Sequence, residues 1–302
     1  MNTLLASRYV EVFRRLLLGM HIMDAPRDQP VAHNVEMRVE PTPMVAPLSD
    51  DQERWLRGRI DSGMPLSDGW SIVSRHASGR YAVSYPAGQP RTHLDIRVLD
   101  RSERVVPRRF RVPLAPLGTP ESLVTLDALP VGQRSRVLSF YPGAAYDMSE
   151  RITGLRGRVV VSDGGTPPRR VPVRWARIEA RLSAAGAVVA WAHGDHKGEF
   201  LLVLPPEAIA SPSVQLPRIL TLQLTAHGRR LPAVLPPALI QRADPFWDAP
   251  LEVLGPPGIV PASDLVARGR AIPPDYTGSV TQPVTFVYSE IVSAAVPAFD
   301  IT

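Results

Sequence analysis

Apolar and polar residues alternate with a period of two in two separated stretches. Leu94, Ile96 and Val98 alternate with Asp95 and Arg97, and Leu220, Leu222 and Leu224 alternate with Thr221 and Gln223. Strand side chains flip faces at every residue, so each set predicts a strand with one face on a core. Phe200-Leu201-Leu202-Val203-Leu204 is apolar at every position, which predicts a strand covered on both faces. In 171–180, Val171, Val173 and Trp175 share one parity while Ile178 and Ala180 have the other. A bulge near Ala176 and Arg177 would reset the register and leave Trp175 in the core.

These patterns recur along the chain. Residues 19–39 and 157–178 each open on glycine, continue as an apolar strand, pass an Asp-containing turn and a proline, and enter a second strand. Gly79-Arg80-Tyr81-Ala82-Val83 answers Gly198-Glu199-Phe200-Leu201-Leu202, with an aromatic two residues after a turn glycine in both. The repeat predicts two tandem β-sandwiches, at 19–125 and 151–235, joined by a linker over 126–150. Two copies are too few for a solenoid, so each must close its own core.

Gly19 to Gly79 spans 60 positions, whereas Gly157 to Gly198 spans 41. The extra length lies around 48–63, where Ser49 followed by Gln52 is a capping-box pattern. A short helical insertion is expected there, carrying Trp55 either inward or toward a partner. Leu5, Tyr9, Phe13 and Leu16 have helical spacing, which predicts an amphipathic helix over 1–18. Residues 236–302 are Pro-rich with scattered apolar strands such as Pro283–Tyr288, and predict an extended C-terminal arm.

Composition supports an all-β class. The chain has 33 Pro and 21 Gly among 302 residues, and such frequent punctuation disfavours long helices. With 44% hydrophobic and 21% charged residues it is globular rather than disordered. The net charge is +5, carried almost wholly by arginine, with Lys197 the single lysine. Arginine suits phosphate and carboxylate recognition, and it also accompanies Pro and Ala in GC-rich coding. Acidic residues are interspersed throughout, which argues against nucleic acid as a partner. There is no cysteine, so disulfides and thiolate metal sites are excluded. Glu11 and the pair Arg14-Arg15 interrupt the N-terminal apolar run, so no signal peptide is expected. No apolar stretch reaches the ~20 residues of a membrane span, and a cytoplasmic protein is expected.

Candidate chemistry is concentrated at 192–200, AHGDHKGEF. His193, Asp195, His196 and Glu199 could ligate a metal, and His196 with Glu199 forms an H-x-x-E pair. A third ligand would have to be His227, 28 residues past Glu199. The competing reading is a turn, with the Asp195 carboxylate on the backbone two residues on and Gly198 at positive φ. The first copy carries His76 and Arg80 where the second has Asp195 and Glu199. Ligands change while the turn persists, which favours the turn, and no metal or other cofactor is expected. There is no G-x-S-x-G elbow, P-loop or G-x-G-x-x-G. Ser162–Pro168 is Gly-rich but leads into a strand rather than a helix, and predicts a hairpin turn.

Three segments of the second copy, 155–160, 171–180 and above all 192–206, resemble the carboxypeptidase regulatory-like domain. That family has a T-D-x-x-G-x-F/Y-x-L segment. Gly194 replaces its threonine here, and the first copy, through 76–88, lacks its aspartate. The resemblance implies transthyretin-like (Ig-like) sandwiches that serve as linkers, scaffolds or adhesive modules without catalytic residues. Leaderless, Pro/Arg-rich proteins of this kind also resemble accessory proteins of phage-tail-like contractile injection systems. The expected role is therefore a non-catalytic structural or adaptor subunit, in one or more copies, held by protein–protein contacts. Candidate partner-binding residues are Phe246 and Trp247 in DPFWD, Phe286 and Tyr288, Trp55, and Arg108 and Arg109 on a predicted solvated edge strand at 101–111. A glycan- or peptide-binding module is the alternative, and a metal-dependent hydrolase at 193–199 a third reading.

Overall fold

The computed structural model describes residues 15–40, 72–85, 92–114, 134–148, 152–162, 169–205, 219–229, 244, 246–257 and 262–301. These are all-β: seventeen strands, with no helix among the described residues. The first eight are β1 (Arg15–Asp24), β2 (Gln29–Pro30), β3 (Glu36–Val39), β4 (Ile72–Arg75), β5 (Tyr81–Tyr85), β6 (His93–Leu99), β7 (Arg108–Pro113) and β8 (Ser135–Phe140). Next come β9 (Gly154–Ser162), β10 (Arg170–Pro172), β11 (Arg177–Arg181), β12 (Val188–His193), β13 (Glu199–Val203) and β14 (Ile219–Gly228). The last three are β15 (Leu251–Val253), β16 (Gly278–Val287) and β17 (Ile291–Asp300).

Strand pairing repeats between the two halves of the chain. β1 pairs antiparallel with β2 and β5, and parallel with β8. β9 likewise pairs antiparallel with β10 and β13, and parallel with β17. The facing sheets run β3-β6-β7 and β11-β14-β16, antiparallel throughout. The halves differ at β4, which joins β5, and β12, which joins β11. They differ again at β15, which adds parallel to the outer edge of β7.

Each half has its own core. Leu18, Met20, Ile22, Leu94, Ile96, Val98, Phe110, Leu138 and Phe140 belong to the first. Leu155, Val159, Ile178, Phe200, Leu202, Leu222, Leu224, Phe286 and Phe299 belong to the second. Burying each such side chain contributes about 1.5–3 kcal/mol. The alternation read from the sequence at β6 and β14 has the expected sense, and Leu201 is buried as the unbroken apolar run required.

Several expectations need correction. Residues 15–24 are a strand, so Leu16 belongs to no helix; the rest of the predicted N-terminal helix, and the insertion at 48–63 with Trp55, lie outside the described residues. The linker expected at 126–150 contains β8, with Leu138 and Phe140 in the core. Residues 278–301 are not an extended arm but two ten-residue strands of the second half. Prolines misled here because edge strands tolerate them: Pro283 lies in β16, at one edge of its sheet. The Arg-rich stretch is no solvated edge either, since β7 lies between β6 and β15. In place of a bulge, the 171–180 run is interrupted by a turn in which Trp175 adopts φ 62°.

Candidate functional site

The 192–200 segment folds as the turn its sequence suggests. Asp195 Oδ1 accepts from the backbone N–H groups of Lys197 (2.7 Å) and Glu199 (2.9 Å). Gly198 has φ +74°, and a Cβ there would lie 2.6 Å from the Val159 carbonyl oxygen. The first half builds the same turn from other residues. His76 N–H donates to the Arg80 carbonyl at 2.8 Å, and Asp195 N–H to that of Glu199 at the same distance. Ser78 N–H reaches His76 Nδ1 at 3.1 Å, so an imidazole nitrogen takes the place of the carboxylate.

The four candidate metal ligands diverge from this turn. His193 is fully buried, Asp195 is turned onto its own backbone, and Glu199 is exposed. His196 lies against Phe246, ring centroids 5.8 Å apart, and near Trp175. Among the described residues no group of three His, Asp or Glu side chains could hold a metal ion.

A fully buried polar constellation lies where the two halves meet, and no local motif announces it. Arg108 of β7 faces inward, over the rings of Phe110 and Phe140. Its Nε and NH2 donate to the two carboxylate oxygens of Glu252 on β15, at 3.0 and 2.7 Å. Its remaining donors reach the carbonyls of Ser139 and Val266, both at 2.6 Å. Arg177 of β11, from the second half, donates to the same Glu252 from NH2 at 3.0 Å and to the Trp175 carbonyl from NH1 at 3.1 Å. Side-chain exposure is 0% for Arg108, 2% for Arg177 and 4% for Glu252. Burial alone would raise the Glu252 carboxyl, but the two guanidinium groups overcome it and hold it below its ordinary value.

His193 stands beside this triad. Its Nε2 bonds the Gly269 carbonyl at 2.7 Å, which makes Nε2 the protonated nitrogen of the neutral ring. Tyr141 lies against the imidazole with centroids 4.3 Å apart. Burial first, then Arg177 and Arg108, push the His193 pKa well below its ordinary value. Gly269 is required where it stands: its φ is +65° and a Cβ would meet Tyr141 at 2.7 Å and His193 at 3.0 Å.

A small apolar cluster closes the other side of the seam, formed by Val106, Trp175 and Ala249 with Phe246 against them. Trp175 holds its left-handed backbone through several bonds. Its N–H donates to the Asp195 carbonyl at 3.0 Å, its indole Nε1 to Asp248 at 2.8 Å, and its own carbonyl accepts from Tyr276. A bulky residue at positive φ persists only where its surroundings over-determine it. Lys197 and Glu103, one from each half, complete the seam at the surface, 3.4 Å apart.

The candidate partner residues are distributed unevenly. Arg108 is buried in the triad, Arg109 is bound by Glu40, and Phe286 is fully buried in the second core. Phe246 and Trp247 lie in the seam segment, half-buried, with Arg174 over the Trp247 ring. Tyr288 is exposed at 47%. The seam's chemistry is electrostatic and cohesive: it joins strands distant in sequence, and its central triad has no face toward solvent.

Comparison with known proteins finds no matching family model, no matching curated protein and no matching solved structure. Among the described residues no helix is long and apolar enough to cross a membrane.

Proposed function

We propose that this chain is a non-catalytic structural or adaptor subunit that docks as one rigid piece into a larger cytoplasmic assembly, of the phage-tail-like contractile injection kind. The observation that carries the reading is the buried Arg108–Glu252–Arg177 triad, which clamps β7, β11 and β15 together. Breaking such a triad would strand a charge in the interior at a cost of about 3–5 kcal/mol, so the two halves act as a unit. A scaffold that carries load between neighbours needs that rigidity.

Support for transthyretin-like domains comes from the repeated pairing scheme and from the Asp195–Gly198 turn, on which the resemblance to carboxypeptidase regulatory-like domains rests. Each half is a two-sheet unit with its own core, as tandem sandwiches require.

Density-gradient sedimentation of native cell extract, with the chain detected by mass spectrometry, tests the role. Co-migration with a particle far larger than the chain is the expected result, and its co-migrating proteins would identify the machine. Sedimentation at the position of a free monomer would overturn the reading.

A further inference from the structure

The two halves differ at one edge, and the difference has a direction. β7 and β16 are counterparts. Each pairs antiparallel with the preceding core strand, β6 or β14, and each is followed by a strand that runs parallel to the first strand of its half. The outer edge of β7 is occupied by β15, added parallel, with Leu251 opposite Arg109 and Val253 opposite Arg111. Among the described residues nothing pairs with the outer edge of β16, and Ser279, Thr281, Pro283 and Thr285 along it are exposed.

Pro283 sets the orientation of that edge. It lies mid-strand opposite Gln223. A proline within a sheet has no N–H to donate, so its nitrogen faces away from the paired strand. Backbone groups alternate sides along a strand, so Thr281 and Thr285 turn their N–H and C=O groups to the same free edge. The proline also divides the edge into two short stretches. A long antiparallel annealing, as β16 of a second copy would make, is thereby disfavoured. A strand of about three residues, the length of β15, still fits beside Pro283–Thr285 with its middle residue opposite Val284, as Glu252 lies opposite Phe110, and forfeits only the bond that the proline cannot donate.

The inward side indicates the chemistry of the occupant. On β7, inward Arg108 receives its acceptor from the middle residue of the added strand, Glu252. On β16, Gln282 also turns inward, and its amide Nε2 is buried with no hydrogen-bond partner among the described residues. A buried donor of this kind calls for an acceptor.

We propose that the free edge of β16 binds a short extended segment of a neighbouring protein subunit, added parallel as β15 is to β7. The segment has an apolar–polar–apolar pattern, its middle side chain turned inward to offer Gln282 a neutral acceptor such as a carboxamide or hydroxyl oxygen, since Gln282 is a neutral donor whereas Glu252 is balanced by two guanidinium groups. This rests on the proposed structural role and names the contact that the role uses.

The test compares Thr285→Pro with Thr285→Ala in the full chain, expressed in place of the wild type. Both lose the hydroxyl contact to Thr221, 3.2 Å away; only the proline removes the outward N–H. Native extracts are run on density gradients, and the melting of each purified variant is recorded. The expected result is that wild type and Thr285→Ala travel with the particle, while the particle-bound fraction of Thr285→Pro falls about tenfold, the effect of one lost hydrogen bond. Amide exchange over 278–287 supplies a readout that needs no variant: outward amides should exchange at least about tenfold more slowly in the particle than in the free chain. Equal exchange in both states, or a folded Thr285→Pro that stays on the particle, overturns the proposal and leaves the structural role standing. Wild type absent from any particle overturns both. A purified wild-type dimer that Thr285→Pro dissociates would identify a second copy as the occupant and overturn the assigned partner.

Discussion

Glu252 is the residue on which the seam depends. It neutralises two guanidinium groups that have no other carboxylate partner among the described residues. Glu252→Gln keeps the shape and removes the charge, leaving two buried cations against an amide. Urea denaturation should show a loss of about 3–5 kcal/mol; a loss below about 1 kcal/mol would mean that the triad is not an essential clamp. His193 makes the seam acid-sensitive with a definite sign. Its folded pKa lies well below the ordinary value of 6.5. Above that value both states hold a neutral ring. As pH falls below it, the unfolded chain takes up a proton that the folded one refuses, so stability falls by up to about 1.4 kcal/mol per pH unit until the folded pKa is reached. His227 and His21, also lowered by burial, add slopes of the same sign. His193→Gln retains a donor for Gly269 without titrating, and its stability should fall less between pH 7 and pH 5 than that of the wild type. Equal slopes would remove His193 as a source. At this scale the turn residues were legible in the sequence, because Asp195 and Gly198 act locally. Trp175 was legible as a core residue, and is 2% exposed, but its partners and the role of Arg177 were not, since these depend on Glu252, Asp248 and Tyr276, some 70 to 100 residues away.

Strands were legible where periodicity and burial coincide. β6 and β14 were read correctly from alternation, and the order of elements revealed the repeat. Of the closing strands, β16 was legible only in part, as the apolar strand at 283–288, and β17 not at all; neither was placed in the second core, because burial along β16 alternates weakly and both strands contain proline. Pro297 lies in the stretch where the register of β17 on β9 shifts, between Ser293 and Ala298. A proline is accommodated there as it is at an edge. Phe286, Phe299 and Ile301 nevertheless belong to the second core, and the rings of Phe200 and Phe299 meet at 5.7 Å. Deleting residues 284–302 should therefore abolish folded protein rather than release a tail. Phe299→Ala alone should cost about 3–5 kcal/mol in chemical denaturation. A truncated chain that remained folded with an unchanged melting temperature would restore the arm as an appendage.

At the scale of the whole molecule, the segment over 246–276 couples the halves. It adds β15 to the first half's sheet, places Leu254 and Ala267 in the first core, and brings Phe246 and Ala249 against Trp175 of the second half. Such coupling predicts a single cooperative unfolding transition for the chain, where two independent sandwiches would show two. Lys197 gives a direct reporter of the closed seam. As the single lysine of the chain, it lies 3.4 Å from Glu103 of the first half. A zero-length carbodiimide coupling should form one lysine-derived amide within the chain, joining residues 103 and 197, readable by peptide mass spectrometry. Both side chains are about half exposed, so the ion pair itself adds little stability, and the crosslink reports docking rather than causing it. Glu252→Gln should lower its yield under conditions where each half stays folded, and unfolding of that variant should separate into two steps. If the wild type formed no such crosslink, or if Glu252→Gln left yield and cooperativity unchanged, the halves would be tethered rather than welded. A rigid docking piece would then no longer describe the chain.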